Sequence, residues 1–300
     1  MMNFVAPVRA AAAARLCGSG LTYEACHGPL TSAPPAERID VSRRSYATQW
    51  ACNAAAYRSQ GVYDRLATEL ALTTGARVLD LGCGLGDGMA AMARRGASVL
   101  GIDENTDCLR LAAARLGLPM PAERISHRWR HDGTFEASIA GEPAEPFLPM
   151  SLAHSDLLRD DVELWRAVSK RGSLDAVTIW FTGTHKVREF DALVQAYGLT
   201  SDDRYAVGME LTAFRIASRH LKSDGVLQIV GRAAHPDHNV IESAYRAKML
   251  DMAQGSPFRL VDIQVFGYSE PPFGDGMPVG PTAQTRPARK AVVSCVLTRT

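Results

Sequence analysis

Residues 78–88 read VLDLGCGLGDG, an apolar run with one carboxylate, Asp80, that breaks into glycines at alternate positions. Glycine tolerates positive φ and lets a ligand approach the backbone, and amides at the start of a following helix would point outward. Two chemistries suit such a bend. A dinucleotide would rest its pyrophosphate there, but the G-x-G-x-x-G fingerprint wants glycine at its sixth place, and counting from Gly82 that place is Asp87. Asp80 would repel a phosphate and favour an ammonium or sulfonium group. A second acid, Asp103, closes the run SVLGID, where a carboxylate can accept both hydroxyls of a ribose. The pattern asks for a ribose-bearing ligand with a positive end.

The elements that must position these residues alternate between two periods. Tyr46, Trp50, Ala54 and Tyr57 fall at helical spacing in SRRSYATQWACNAAAYRSQ, and VYDRLATELAL continues as a second helix. Strand ARVLDLG then leads to a helix over about 86–95, strand SVLGID to a helix from about Asn105 that ends at Gly117 and Pro119, and strand MSLAHSD to a helix over about 160–170. The β-branched and aromatic run LDAVTIWF predicts a buried strand. Helical spacing over 186–197 places Val187, Phe190, Val194 and Tyr197 on one face, and a helix over 205–221 precedes strand VLQIVG. A last helix over 240–253 leads to FRLVDIQVFG and ARKAVVSCVLT, an antiparallel pair. Strands separated by helices imply an α/β fold: a Rossmann-like, mostly parallel sheet with helices on both faces and an antiparallel C-terminal strand.

This divides the chain into an irregular segment over 1–40, N-terminal helices over 41–73 that could form a lid, and one domain over 74–300. The polar, proline-dotted stretch 119–149 reads as an insertion without assigned elements. Its RISHRWRH, residues 124–131, mixes basic and aromatic residues but is expected to be a solvated face. A formal net charge of +1 leaves no footprint for nucleic acid. Six scattered cysteines with no C-x-x-C pair imply neither a disulfide scaffold nor structural zinc, and no apolar run is long enough for a membrane helix. A cytoplasmic protein is expected; the oligomeric state stays open.

VLDLGCGLGDG and GIDEN together resemble the D-x-G-x-G-x-G loop and following acid of the class I S-adenosylmethionine-dependent methyltransferases, and the order of elements resembles that family from about residue 60 onward. The resemblance implies S-adenosylmethionine as methyl donor. Asp80 and the backbone of Gly82, Cys83, Gly84 and Gly86 would hold its methionine part, Asp103 its ribose, and Glu104 would lie along the adenine edge. In HSDLL, Asp156 would accept from the adenine amino group and the Leu157 amide would donate to the ring; the local alternative makes Asp156 the N-cap of the next helix.

In this family the loop IWFTGTHKVREF faces the methyl group. His185, at the start of a helical pattern, would be kept neutral by the positive helix end and could act as general base, with a capping role as the alternative. Tyr46 and Trp50 are either core or part of a cover over the acceptor, and His235 is a further candidate at the substrate. The expected acceptor is a small molecule of specialised metabolism, methylated on O, N or C. A peptide or protein acceptor, a dinucleotide-dependent oxidoreductase and a non-catalytic adenosyl sensor are the alternatives.

Overall fold

The computed structural model describes residues 35–143, 145–271, 276–277 and 289–300. The expected irregular segment lies outside this range as far as residue 34. Helix α1, Pro35–Ser59, begins ahead of the expected start at Val41. Proline suits the first helical position and Glu37 the positive first turn. What extends the order is Ile39, buried against Phe135 and Val187, two residues far away in sequence.

After α2, Val62–Glu69, the chain enters β1, Arg77–Leu81, and α3, Asp87–Ala93. Then come β2, Ser98–Asp103, and α4, Thr106–Leu116, capped by Asn105 and closed by Gly117 at φ 66°. The insertion folds as an antiparallel hairpin of β3, Ile125–Trp129, and β4, Phe135–Ile139. Strand β5, Met150–His154, leads to α5, Val162–Lys170, and β6, Leu174–Trp180. A 3-10 turn over Lys186–Phe190 and the short α6, Ala192–Ala196, replace the single helical face read over 186–197. Asp191 interrupts that face by capping α6, which leaves Phe190 and Tyr197 exposed while Val187 and Val194 are buried. Helix α7, Asp202–His220, precedes β7, Leu221–His235; α8, His238–Ala253, precedes β8, Phe258–Gly267, and β9, Arg289–Arg299.

The main sheet runs β5-β2-β1-β6-β7-β9-β8, parallel except for β9, which is antiparallel to both its neighbours. The fold is thus the expected Rossmann-like one. Alternation along the strands sorts side chains onto two faces. Val78 and Val99 pack with α1–α4, whereas Leu79, Leu81, Leu100 and Ile102 pack with α5, α7 and α8. From β1 the chain builds outward through β2 and β5, then returns to β6 on the other side of β1. That reversal opens a crevice at the carboxyl ends of β1 and β6.

The hairpin is tied to the sheet by a buried ion pair. Arg124, just before β3, donates to both carboxylate oxygens of Asp161, at 2.6 and 2.9 Å. Asp161 also caps α5 at the Leu164 amide and accepts from Ser155 Oγ. Burial pushes its carboxyl up, but Arg124 and these hydrogen bonds hold it below the ordinary range. Asp161→Ala should cost about 3–5 kcal/mol in urea unfolding, because it leaves a buried guanidinium unpaired. The folded pKa is depressed, so the stabilisation should be complete above the usual carboxylate pKa and fade as pH falls below it.

Candidate functional site

The crevice at the reversal point is a cavity that gathers residues from most of the chain. Gly82 and Gly84 follow β1, Asp103 and Glu104 end β2, Ser155–Leu157 follow β5, and residues 179–185 complete it from β6, with Tyr46 and Trp50 of α1 above. A smaller cleft lined by Asp80, Cys83, Asp87 and Gly88 adjoins it and shares Trp50, Gly82, Trp180 and Phe181. Phe181 holds φ at 58°, a left-handed conformation that is strained for an aromatic residue.

The glycine loop needs its glycines: Gly82, Gly84 and Gly86 have φ of 68, 53 and 71°. Its amides, however, are engaged within the protein. Those of Gly82 and Cys83 donate to the Ile102 carbonyl, that of Gly86 to the Cys83 carbonyl, and that of Gly84 to Asp103 Oδ2 at 2.8 Å. The glycine amides of the loop are thus spent within the protein, and only the amides at the start of α3 remain as donors. Gly86 caps α3 and does not line the cavity.

Asp80 lies between Gly101 of β2 and Thr178 of β6 in register. Its side chain is buried, accepts from Thr178 Oγ1 at 2.8 Å and pairs with no cation among the described residues. Burial pushes its carboxyl up to about 7; the Thr178 bond opposes this and nearby Asp103 adds to it. Gly88 leaves room beside it, since a Cβ there would come within 3.3 Å of Asp80 Oδ2 and 2.8 Å of Trp180. Asp87 Oδ1 pairs with Arg58 and Arg115, while its buried Oδ2 has no partner. Asp80 and the unpartnered Asp87 Oδ2 thus face the small cleft as hydrogen-bond acceptors.

Asp103 joins the loop to α4, accepting from the Gly84 and Asn105 amides, one on each oxygen at 2.8 Å. Burial raises its carboxyl to about 6. Glu104 lines the cavity, and its carboxylate is held by two partners remote in sequence. Its Oε2 accepts from Arg43 of α1 at 2.9 Å, and its Oε1 lies 3.3 Å from His185 Nε2. Burial pushes Glu104 up, but His185 and Arg43 overcome this and hold it well below the usual carboxylate range. His185 is lowered first of all by burial, which Glu104 opposes. The neutral imidazole expected at this position thus has a different main cause, because only a five-residue 3-10 turn follows it. It makes no capping hydrogen bond, and its Nδ1 is buried without a partner.

Asp156 lines the cavity but is not the cap of the next helix; Asp161 is. Its carboxylate sits in a ring of charges. Arg188 donates to it at 2.5 Å, Arg159 Nε lies 2.9 Å away as an ion pair without hydrogen-bond geometry, and both arginines also pair with buried Asp191. The other Asp156 oxygen accepts the Leu158 amide. Leu157 lines the same wall.

Tyr46 and Trp50 face the cavity while Tyr57 is core, stacked on Phe181 with ring centroids 4.8 Å apart. One helix face therefore serves both uses. Tyr46 lies so close to Gly183 that a Cβ there would come within 2.7 Å of its hydroxyl. His235 is not brought to this site; it ends β7 and accepts from the Asp237 amide. Arg43, Arg159, Arg188 and Asp191 went unread in the sequence, since isolated arginines and aspartates carry no local signal of partners many residues away. The hairpin did have one: alternating Ile125, His127 and Trp129, then the Asp132-Gly133 turn.

No family model and no curated protein matches the sequence. Among solved structures, the chain is similar to a TehB-like SAM-dependent methyltransferase from Corynebacterium glutamicum, with 16% identity over 87% of this chain and 100% of that one and a TM-score of 0.43. It is also similar to a precorrin-6y C5,15-methyltransferase from Geobacter metallireducens, with 12% identity over 80% and 89% and a TM-score of 0.41. The YcgJ protein from Bacillus subtilis gives 12%, 79% and 98%, and 0.44. Likeness this distant says nothing of what the chain acts on.

A buried acid with a raised pKa favours the folded state when protonated and penalises it once ionised. Asp80→Asn should therefore raise the melting temperature of the ligand-free protein at pH 8. The gain should shrink as pH falls through about 7 and vanish below about pH 3, where the wild-type carboxyl is protonated in both states. Calorimetric melting across that range checks it.

Proposed function

We propose that the chain is an S-adenosylmethionine-dependent methyltransferase acting on a small molecule. The observation that carries this reading is Asp80: a buried carboxylate without a cation, beside a glycine loop whose amides are already engaged. A pyrophosphate would meet charge repulsion from Asp80 there, whereas an α-ammonium group would find an anion and carbonyl oxygens. When bound, S-adenosylmethionine supplies a methyl group on a positively charged sulfur.

In this reading Asp80 holds the ammonium group, with Asp87 Oδ2 as a second acceptor nearby. Asp103 retains lone pairs for ribose hydroxyls, since each of its oxygens accepts only one backbone amide. Asp156 Oδ1, which accepts only the Leu158 amide, keeps a lone pair for the adenine amino group, and the Leu157 amide donates to the ring. Tyr46, Trp50, Trp180 and Phe181 place aromatic faces round the cavity, which suits a sulfonium and excludes water. His185 takes a proton from the acceptor where one must leave, its neutral form being favoured by burial. Small acceptors fit a cavity roofed by α1 better than a peptide does.

Titration calorimetry should show S-adenosylhomocysteine binding and no binding of NAD. Binding at pH 7 should release protons, because the ammonium group draws the Asp80 pKa down from about 7, and Asp80→Asn should bind more weakly with that release abolished. Tight NAD binding would sink the proposal. His185→Ala should lower methylation of a hydroxyl acceptor about 10²–10⁴-fold while leaving S-adenosylhomocysteine affinity unchanged. The wild-type rate should fall only as pH drops below the lowered imidazole pKa.

A further inference from the structure

The amino-acid end of the methyl donor carries two opposite charges on one carbon, and Asp80 answers only the positive one. Its carboxylate therefore needs a hydrogen-bond donor close to Asp80, where the small cleft adjoins the crevice. Most donors there are engaged or badly placed. The Gly82, Cys83, Gly84 and Gly86 amides serve carbonyls and Asp103, and Trp180 Nε1 donates to Gln228 Oε1 at 2.9 Å. The first amides of α3 belong to Asp87 itself and to Gly88, so a carboxylate that reached them would come against the Asp87 charge. Tyr63 lines the small cleft but not the crevice, and the same Asp87 charge acts on its hydroxyl.

Trp50 differs on each count. It lines both clefts, and its Nε1 donates to no group among the described residues, yet it is not sealed from solvent as the unpaired Trp129 Nε1 is. The N–H edge of the indole lies over Gly84, where a Cβ would come within 3.1 Å of Nε1 and 3.5 Å of Cδ1. The ring is held in that orientation by Tyr57 and Phe181, each with its centroid 6.0 Å away. The charge beside it is positive, since the Arg232 guanidinium carbon lies 5.7 Å from the ring centre. An indole nitrogen donates and cannot accept, so its partner in the cavity must be an acceptor, and the nearby cation favours an anionic one.

We propose that Trp50 anchors the α-carboxylate of the methyl donor, its indole N–H donating to one carboxylate oxygen while Asp80 holds the ammonium group. This rests on the methyl-donor reading above. The two ends of the amino-acid group then meet partners of opposite kind on opposite elements, Asp80 on β1 and Trp50 on α1. The helix that roofs the crevice becomes part of the donor site, and the site selects adenosyl compounds with a complete α-amino-acid end over those that carry the amine alone.

The test uses the full chain and two probes that differ in one group: S-adenosylhomocysteine and its decarboxylated form, which keeps the nucleoside, the thioether and the amine. By calorimetry the wild-type chain should bind the first about ten- to a hundredfold more tightly, the range of one hydrogen bond to a charged group. Trp50→Phe keeps an aromatic ring against Tyr57 and Phe181 but has no N–H, so it should lose that preference by weakening S-adenosylhomocysteine alone. By NMR of the wild-type chain, the Trp50 indole N–H signal should move further downfield with S-adenosylhomocysteine than with the decarboxylated form, a readout that does not depend on the variant's stability. Equal binding of the two probes by the wild-type chain, an undiminished preference in Trp50→Phe, or an indole signal that moves alike with both overturns the proposal and leaves the donor reading standing. Failure of the wild-type chain to bind either probe overturns both.

Discussion

Everything about the crevice follows from placing a carboxylate where the strand order reverses, with hydrogen-bond help but no cation. Asp80 is fixed by register between Gly101 and Thr178, and each neighbour is suited to it. Threonine supplies one hydroxyl. Glycine at 101 clears the space above β2, where a Cβ would strike Met89 Sδ at 2.3 Å and Cys83 at 2.9 Å. The loop can then double back so that the Gly82 and Cys83 amides reach the Ile102 carbonyl and the Gly84 amide reaches Asp103. A loop folded onto the protein in this way has spent its glycine amides.

How much of this was legible in the sequence depends on the range of the interaction. The glycine spacing, the acids at 80 and 103, and the strand and helix periods are local, so the sheet and the floor of the cavity could be read directly. Asn105 and Gly117 bounded α4 for the same reason. Roles set by distant partners could not be read. Glu104 looked like an adenine neighbour because of its place after Asp103, yet its partners come from α1 and from the loop after β6. Asp156 looked like a ligand or a cap; the arginines that occupy it are local for Arg159 and remote for Arg188. His235 shared a residue type with His185 but ends a strand that carries it past the cavity.

The cover over the crevice depends on two kinds of contact that act together. Ile39, Phe135 and Val187 form a small apolar cluster where α1, the hairpin and the 3-10 turn meet. Around it, Arg43 pairs with Glu104, Asn105 donates to the Arg43 carbonyl, and the Val187 amide donates to Ser42 Oγ. The apolar cluster is non-directional and would tolerate sliding; the polar contacts would not. Together they fix α1 in one register above the crevice, which brings Tyr46 against Gly183 and Trp50 against Gly84.

Buried charge is an expensive way to hold a loop, and the ring of Asp156, Arg159, Arg188 and Asp191 is better understood as a device of orientation than of stability. Desolvating four charged groups offsets most of their mutual attraction, so a well-packed apolar replacement would hold the segment about as firmly. What an apolar core could not do is fix a guanidinium with two of its nitrogens occupied and the third unsatisfied. Arg188 is held in that state by acids on both sides, and His185 is held likewise by Glu104 at one nitrogen. Each leaves one buried atom unpaired, Arg188 on the 3-10 turn and His185 on the residue before it.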